Sequence, residues 1–326
     1  MNPVDPAVWI VVLNFNGWED TIKCLASLEP IRNSCAIVLV DNASKENRLD
    51  QMKENHPWIH TLPRNTNGGW AGGNNTGIEY ALERGAEQII LLNNDTRVSP
   101  SLVSTLLEAA AANPTYGVIG PVINFMDDPE VVMTDGCVFN HPGYPGFFER
   151  KSVPLENSRT ITPVEIVNGC CMMVSRAVFE AIGLIDERFF LIHEESDFCL
   201  RAREAGFGCG VLGTSLVWHK GSVSFKRTGS RIQRYYDSRN LRLLLNKHVY
   251  RHAEGRNRLE SMRTYWKYVY YRYSIERENQ SPDSANAVLE GVWDGLHKYY
   301  GPLEKRNRWG VPVLRGVFEF VRKLSN

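Results

Sequence analysis

Short apolar runs cut off by polar residues set the pattern of the first half of the chain. Residues 8–13 are apolar and stop at Asn14-Phe15-Asn16-Gly17. Residues 37–40 stop at Asp41-Asn42-Ala43-Ser44, and residues 89–92 stop at Asn93-Asn94-Asp95. Runs of this length, bounded by turn-forming residues, predict strands buried on both faces. Between them, residues 18–28 carry apolar positions at helical spacing, with Ile22, Leu25 and Leu28 on one face. Residues 59–62 read as a weak strand, 77–84 as a helix closed by Gly85, 100–112 as an alanine-rich helix and 117–119 as a short strand. The alternation predicts an α/β fold, a mostly parallel sheet flanked by helices. Asn14, Asp41 and Asp95, each at a strand exit, then fall along one carboxyl edge, where open α/β sheets bind ligands.

The second half is less regular. Residues 124–163 are interrupted by Pro and Gly and read as short strands with a loop over the site. Residues 166–174 are apolar around Gly169, and 176–182 form a short helix ended by Gly183. Residues 194–205 read as a helix with Phe198, Cys199, Leu200 and Ala202 inward, and 215–218 as a last strand with His219 at its exit. Residues 221–230 are small, polar and basic and read as a mobile loop; 235–248 are helical. The expected division is a catalytic domain over 1–250, with a nucleotide-binding half over about 1–120 and an acceptor half over about 121–250. A basic, mostly helical extension would occupy 251–326.

Charge changes that picture. The formal net charge is zero, yet the chain from residue 220 onward holds 22 Lys/Arg against 10 Asp/Glu, and the first 219 residues hold 15 against 27. An acidic body with a basic tail points to a polyanionic partner for the tail: a diphosphate lipid, an anionic membrane or a nucleic acid. No nucleic-acid-binding module is legible, so nucleic acid is set aside. The seven cysteines show no CxxC and no Cys/His metal spacing, which with the absent signal-peptide pattern predicts a reduced, cytosolic protein. No apolar run approaches the roughly 20 residues that span a bilayer.

Three stretches carry candidate chemistry. Asp95 is hard and anionic, suited to Mg²⁺ or Mn²⁺, although Asn and Asp are also ordinary where a strand turns into a loop. Glu194, Glu195 and Asp197 open a helix, either as complements to its dipole or as a general base beside a cation. The glycines of Asn67-Gly68-Gly69-Trp70-Ala71-Gly72-Gly73-Asn74-Asn75 let backbone approach a ligand closely. Their spacing is neither a dinucleotide fingerprint nor a Walker loop.

Together these pieces resemble the family 2 glycosyltransferases, inverting enzymes of the GT-A fold, and within them the bacterial rhamnosyltransferase-like members. The matching stretches are Val-Val-Leu-Asn-Phe-Asn-Gly-Trp-Glu-Asp-Thr (11–21), Val-Asp-Asn-Ala-Ser (40–44), the glycine stretch (67–77), Leu-Leu-Asn-Asn-Asp-Thr (91–96), Gly-Leu-Ile-Asp-Glu-Arg-Phe-Phe (183–190), Glu-Glu-Ser-Asp (194–197) and Trp-His-Lys (218–220). They follow in the family's order over residues 7–250.

The resemblance implies a uridine or thymidine diphosphate sugar as donor, dTDP-rhamnose among them. It implies a glycan or lipid-linked acceptor and a role in cell-surface polysaccharide synthesis. Phe15 would stack near the base and Asp41 would accept from its imide N–H. Asn67, Gly68, Trp70, Gly73 and Asn75 would line the donor, with Leu13, Asn94, Gly169 and Arg231 on the same side. Asp95, the last position of the family's DxD motif, would bind Mg²⁺ or Mn²⁺ with His219. Glu195 would be the base, with Glu194 beside it. The DxD motif here reads Asn93-Asn94-Asp95, leaving one carboxylate, and the usual Glu-Asp pair reads Glu194-Glu195, one methylene longer at the base. Lys220, Lys226, Arg227, Arg231 and Arg234 would add positive charge near the diphosphate.

In the extension, Leu259, Met262, Trp266, Val269, Tyr270 and Tyr273 fall on one helical stripe, and residues 306–323 repeat the theme with Val313, Leu314, Val317, Phe318 and Val321. Such stripes pack on the catalytic domain, form a homodimer surface, or attach peripherally to an anionic membrane at the inner face of the plasma membrane. Two other functions compete. A sugar-phosphate nucleotidyltransferase would carry a Gly-rich, Arg/Lys-containing signature after the first strand, which residues 12–17 lack. A catalytically weak nucleotide-sugar binder would fit the reduced DxD motif.

Overall fold

The computed structural model describes residues 7–139, 148–155, 160–221, 230–251 and 255–325. Its packing divides the chain into two compact units. One holds Met1–Val138, Arg150–Glu187 and Glu195–Gly221; the other holds Phe139–Glu149, Arg188–Glu194 and Ser222–Asn326.

The first unit is built on a mixed sheet. Strands β1 (Val8–Asn14), β2 (Ala36–Asp41), β3 (Ile59–Pro63) and β4 (Gln88–Asn93) are parallel, in the order β4-β1-β2-β3. The apolar runs form these strands because both faces are covered. Ile10, Val12, Ile37, Leu39 and Ile90 join a core with Leu25 and Leu28 of α1 (Trp18–Leu28) and Leu102 and Leu106 of α4 (Leu102–Ala112). Two short elements follow in sequence, α2 (Leu49–Asn55) and β5 (Thr96–Val98). Beyond β4 the sheet continues through β6 (Tyr116–Phe125), β10 (Ile161–Val164), β11 (Cys171–Ser175) and β12 (Gly208–His219), in the order β10-β12-β6-β11-β4. β11 is antiparallel to both its neighbours, while β6 and β12 pair in parallel. β7 (Val132–Thr134) adds to β6, and β8 (Cys137–Phe139) with β9 (Phe148–Arg150) forms a separate ribbon. Helices α5 (Arg176–Ile182) and α6 (Glu194–Glu204) complete the first half, with Phe198, Cys199, Leu200 and Ala202 buried as their spacing predicts.

Four expectations need correction. Ile22 does not face inward: it is exposed, and α1 buries Trp18, Thr21, Cys24, Leu25 and Leu28. Leu25 and Leu28 are inward as expected, and the buried stripe extends from them toward Thr21 and Cys24, which reach polar partners at the strand exits. The strand expected over 117–119 runs from Tyr116 to Phe125, and the one over 215–218 starts at Gly208, since the two pair with each other over most of their length. The helix expected over 77–84 starts at Gly69, so the glycine stretch is its first two turns, α3 (Gly69–Glu83). Gly73 and Gly77 lie where a Cβ would run into Leu13 and into Val11 and Val40 of the underlying strands. The sheet thus takes the space that side chains would need, and the helix forms despite the poor intrinsic propensity of glycine.

The second unit is helical: α7 (Arg231–His248), α8 (Gly255–Glu278), α9 (Pro282–Leu296) and α10 (Val311–Ser325). A capping box at Ser230 and Gln233 starts α7. α7, placed by its sequence with the first 250 residues, belongs to this unit. α8 carries the predicted aromatic stripe. Tyr265, Tyr268, Val269 and Tyr273 are buried in a core with Leu241, Leu245, Val288, Leu289 and Phe318, and Met262, Trp266 and Tyr270 pack against it. Of the predicted stripe, Leu259 is exposed. The stripe on α8 is therefore internal packing. No helix among the described residues is long and apolar enough to cross a membrane.

Candidate active site

Parallel register sets Asn14 opposite Asp41 and Leu13 opposite Asn93, so three strand exits lie level. Asn14 is fully buried and joins them. Its Nδ2 donates to Asp41 Oδ1 (2.9 Å) and Ser44 Oγ (3.1 Å), while its Oδ1 accepts from the Gly17 N–H (3.0 Å) and Thr21 Oγ1 (3.0 Å). Asn94 Nδ2 donates to Thr21 Oγ1 (2.8 Å) and to the Gly17 carbonyl (3.2 Å), bracing the start of α1. Asp41 is buried, and its Oδ2 accepts only a 3.3 Å bond from the Ser44 N–H in this network. Phe15, next along, is half exposed. The turns are tight enough that Asn16 and Ala43 take left-handed φ values of 59° and 63°.

The glycine helix is tied to the same edge. Asn42 Nδ2 donates to Asn67 Oδ1 (2.9 Å) and the Gly69 carbonyl (2.9 Å), its Oδ1 accepts from the Gly68 N–H (3.0 Å), and Asn67 Oδ1 also accepts from the Gly69 N–H (2.8 Å). Arg64, at the exit of β3, donates to the Gly72 carbonyl (2.6 Å) and to Thr76 Oγ1. Asn75 bridges to the Ile185 backbone and to Glu187 Oε1 (3.1 Å). Asn42, Arg64 and Glu187 are additions to the expected set. Arg64 carries the signal that marks Asp41, a polar residue just past a strand.

Asp95 and His219 meet. β12 runs antiparallel to β5 with His219 opposite Thr96, which brings His219 Nε2 to 2.9 Å from Asp95 Oδ1. The Lys220 N–H donates to the Asp95 carbonyl (3.0 Å), and His219 Nδ1 lies 3.3 Å from Met133 Sδ. Among the described residues no group of three or more His, Cys, Asp or Glu is placed to hold a metal. A cation at this pair would need ligands beyond these two side chains. One carboxylate oxygen and one imidazole nitrogen suit Mn²⁺, and the oxygen suits Mg²⁺.

A short path leads from there to Glu195. Trp70 Nε1 donates to Asn93 Oδ1 (3.0 Å). A Cβ on Gly169 would stand 3.0 Å from the Trp70 ring and 3.3 Å from Glu195 Cβ, so ring, glycine and carboxylate stem are adjacent. Glu195 is partly accessible, while Glu194 is buried. Cys137, near the Glu195 charge, is pushed up to about 11, chiefly by burial. The seven cysteines are free, and Cys170 and Cys171 are buried in the core.

The segment leading into Glu194 is held within the second unit. Phe190, Ile192 and His193 have left-handed φ values of 64°, 72° and 73°, which for non-glycine residues costs about 1–3 kcal/mol each. Asn240, buried in α7, offsets this: its Nδ2 donates to the carbonyls of Phe189 (2.8 Å), Leu191 (2.7 Å) and Ile192 (2.7 Å). Arg239 donates to the carbonyls of Phe189 (2.8 Å), Arg188 (3.1 Å) and Gly301 (2.6 Å). His193 Nε2 lies 3.2 Å from Asp237 Oδ1, and Phe148 stacks on its ring. Burial would raise the Asp237 carboxyl, but His193, Arg272 and the Tyr268 hydroxyl hold it below the usual carboxylate range.

Of the expected basic residues, Lys220, Arg231 and Arg234 each have an acidic partner. Lys220 pairs with Asp20 (3.0 Å), Arg231 with Glu290 (2.8 Å) and Arg234 with Glu276 (2.6 Å). Arg231 and Arg234 are thereby tied to α9 and α8. Lys226 and Arg227 lie outside the described residues.

Comparison with known proteins places this geometry. The chain is 33% identical over 245 residues to the low-salt glycan biosynthesis hexosyltransferase Agl10 of Haloferax volcanii, covering 73% of this chain and 75% of that protein. It is 27% identical over 247 residues to the dTDP-rhamnosyl transferase RfbF of Shigella flexneri, covering 74% and 80%. Among solved structures it resembles TarS 1–349 of S. aureus with a TM-score of 0.53 at 14% identity, over 88% of this chain and 80% of that one, a likeness of fold. The profile of the glycosyl transferase family 2 matches residues 9–183, which span β1 to α5 and with them the strand exits, the glycine helix and Asp95. The chain belongs to glycosyl transferase family 2 and is a nucleotide-sugar glycosyltransferase with the GT-A fold.

Proposed function

We propose that the protein moves a sugar, with inversion at the anomeric carbon, from a uridine or thymidine diphosphate sugar to a hydroxyl of a glycan or lipid-linked acceptor. The observation that carries this reading is the level set of strand exits with the Asp95–His219 pair beyond it, at 2.9 Å. The name of the relative RfbF favours dTDP-rhamnose as donor, and that of Agl10 favours a glycan product.

Asp41 keeps acceptor capacity on Oδ2 for a base imide N–H, and exposed Phe15 offers a ring beside it. The first turns of α3, stripped of side chains, let a diphosphate approach backbone. Asp95 and His219 would hold Mg²⁺ or Mn²⁺, which when bound neutralises charge on the departing diphosphate. Glu195, rather than buried Glu194, takes the proton from the acceptor hydroxyl. The acceptor oxygen forms the new bond to the anomeric carbon. The bond from that carbon to the diphosphate breaks, and the nucleoside diphosphate leaves with the electron pair. A single displacement needs no second catalytic carboxylate.

A nucleotidyltransferase would release pyrophosphate instead, and family membership speaks against it. The test is incubation with a panel of uridine and thymidine diphosphate sugars, with and without Mn²⁺ or Mg²⁺. Nucleoside diphosphate release that depends on acceptor and cation is expected. Release of pyrophosphate, or full turnover in excess chelator, overturns the reading or its metal step respectively.

A further inference from the structure

β7 pairs antiparallel with β6 in a register that slips by one residue. Ile123 stands opposite Thr134 and Asn124 opposite Val132, so Met133 is the extra residue of a β-bulge. A bulge of this kind re-aims the side chain it inserts. Met133 is half-buried against the core of the first unit, and its Sδ lies 3.3 Å from Nδ1 of His219. Gly221 makes room for it. That glycine has a φ of 63°, and a Cβ there would stand 2.8 Å from the Met133 methyl carbon, so a side chain at 221 would displace the thioether. The backbone of His219 is pinned on both sides: it stands opposite Thr96 of β5 and Phe125 of β6, and its carbonyl accepts from the Met126 N–H (2.9 Å). What is left to fix is the ring. Its two nitrogens meet two different groups, Met133 Sδ and Asp95 Oδ1.

We propose that Met133 is a positioning residue for the cation, holding the His219 ring so that Nε2 is the nitrogen offered to the metal. This role rests on the Asp95–His219 cation site of the proposed function. Sulfur decides the direction. A thioether carries lone pairs and no hydrogen, so the 3.3 Å contact is a favourable one only with a hydrogen on Nδ1. A neutral imidazole has one N–H; with it on Nδ1, the lone pair falls on Nε2, the nitrogen on the side of Asp95. Metal-binding histidines are commonly oriented in this way by a carboxylate, a carbonyl or a water on the other ring nitrogen, and loss of that partner typically costs about 10–100-fold in metal affinity. A thioether accepts more weakly than any of these, which sets the expected loss at the lower end or just below it. It also brings no second negative charge to the ring, so the carboxylate of Asp95 is the anion that His219 meets.

The test uses the full chain and the variants M133L, M133Q and H219A. Leucine keeps the volume and removes the acceptor; glutamine keeps the length and restores one. Mn²⁺ affinity is read by electron paramagnetic resonance, with and without uridine or thymidine diphosphate. The His219 tautomer is read from ¹⁵N shifts of the metal-free, histidine-labelled protein. M133L should bind Mn²⁺ about 3–10-fold more weakly and exchange the single Nδ1–H form for a mixture of tautomers. Its thermal midpoint should stay within a few degrees of the parent, since the swap conserves volume. M133Q should regain both the affinity and the single tautomer. Unchanged Mn²⁺ affinity in M133L overturns the proposal. So does a loss that M133Q does not restore, or one with the tautomer unchanged, because packing alone would then account for it. H219A tells the two possible failures apart. If it binds Mn²⁺ as the parent does, the cation site is misplaced and the role of Met133 falls with it. If it loses Mn²⁺ while M133L matches the parent, the site stands and the role of Met133 alone is overturned.

Discussion

The carboxyl edge of the sheet and the segment before Glu195 hold polar groups by opposite means. At the edge, Asn14, Asp41, Ser44, Thr21 and Asn94 bond one another, and strand register has already made their positions level. Little has to be imposed from outside. The segment 188–193 has no strand or helix of its own. Three of its non-glycine residues sit at left-handed φ, and Asn240 and Arg239 hold its carbonyls from α7. An edge fixed by register tolerates loss of one member; a strained segment clamped by two side chains does not. On the proposed function, donor binding would rest on the robust region and the alignment of the proposed base on the fragile one.

The sharpest break would come at the proposed cation pair. Asp95→Ala removes the one carboxylate of the Asn93-Asn94-Asp95 exit that faces His219. Turnover should fall by about 10³-fold or more, since a bound cation supplies several kcal/mol of charge stabilisation. The circular-dichroism melt should stay close to the parent, because Asp95 is not part of the Asn14 network. Near-normal nucleoside diphosphate release from this variant would remove the metal assignment.

The base separates the two glutamates. Glu195→Gln keeps shape and loses basicity, and a general base contributes about 10²–10⁴-fold. Donor affinity, read by calorimetry with the nucleoside diphosphate, should hold. If Glu194→Gln is the dead variant and Glu195→Gln keeps its rate, the roles exchange and accessibility was the wrong guide.

How much of this was legible follows the same contrast. Strands β1, β2 and β4 announce themselves by four or more apolar residues ended by Asn or Asp, and the exits that gather at the edge are local signals. The extent of α3 was hidden because glycine argues against helix in isolation. What permits it is Leu13, Val11 and Val40 lying underneath, a tertiary fact. The clamp was hidden more deeply. Asn240 reaches carbonyls 48 to 51 residues earlier in the chain, and nothing in its helical context marks it. The aromatic stripe of α8 was legible as a stripe, but periodicity alone does not say whether protein or lipid covers it.

Asn240→Ala tests the clamp directly. The carbonyls of Leu191 and Ile192 would lose the Asn240 donor and that of Phe189 would keep only Arg239, at a stability cost of about 2–4 kcal/mol read from denaturant midpoints. The informative readout is the split between kinetic terms. If the segment aligns Glu195, kcat should drop roughly tenfold while the donor KM stays put. An equal loss in both, or none in kcat, would make Asn240 a residue of stability alone.

The smallest effect concerns acid. Asp237 sits in the same clamp, and its carboxyl is depressed in the folded state: burial opposes the charge, but His193, Arg272 and Tyr268 outweigh it. A group with a depressed folded pKa binds its proton more weakly folded than unfolded. Its stabilising contribution is therefore complete above the ordinary carboxylate value of 3.8 and is lost as pH falls through the folded one. Asp237→Asn should lower the melting temperature at neutral pH, where charged hydrogen bonds are lost, and should flatten the fall in stability below about pH 4. Melts recorded from pH 3 to pH 7 on both proteins give the comparison. Parallel acid limbs would mean that the carboxyl titrates alike folded and unfolded, and the segment before Glu195 would then owe its hold to Asn240 and Arg239 without the buried charge.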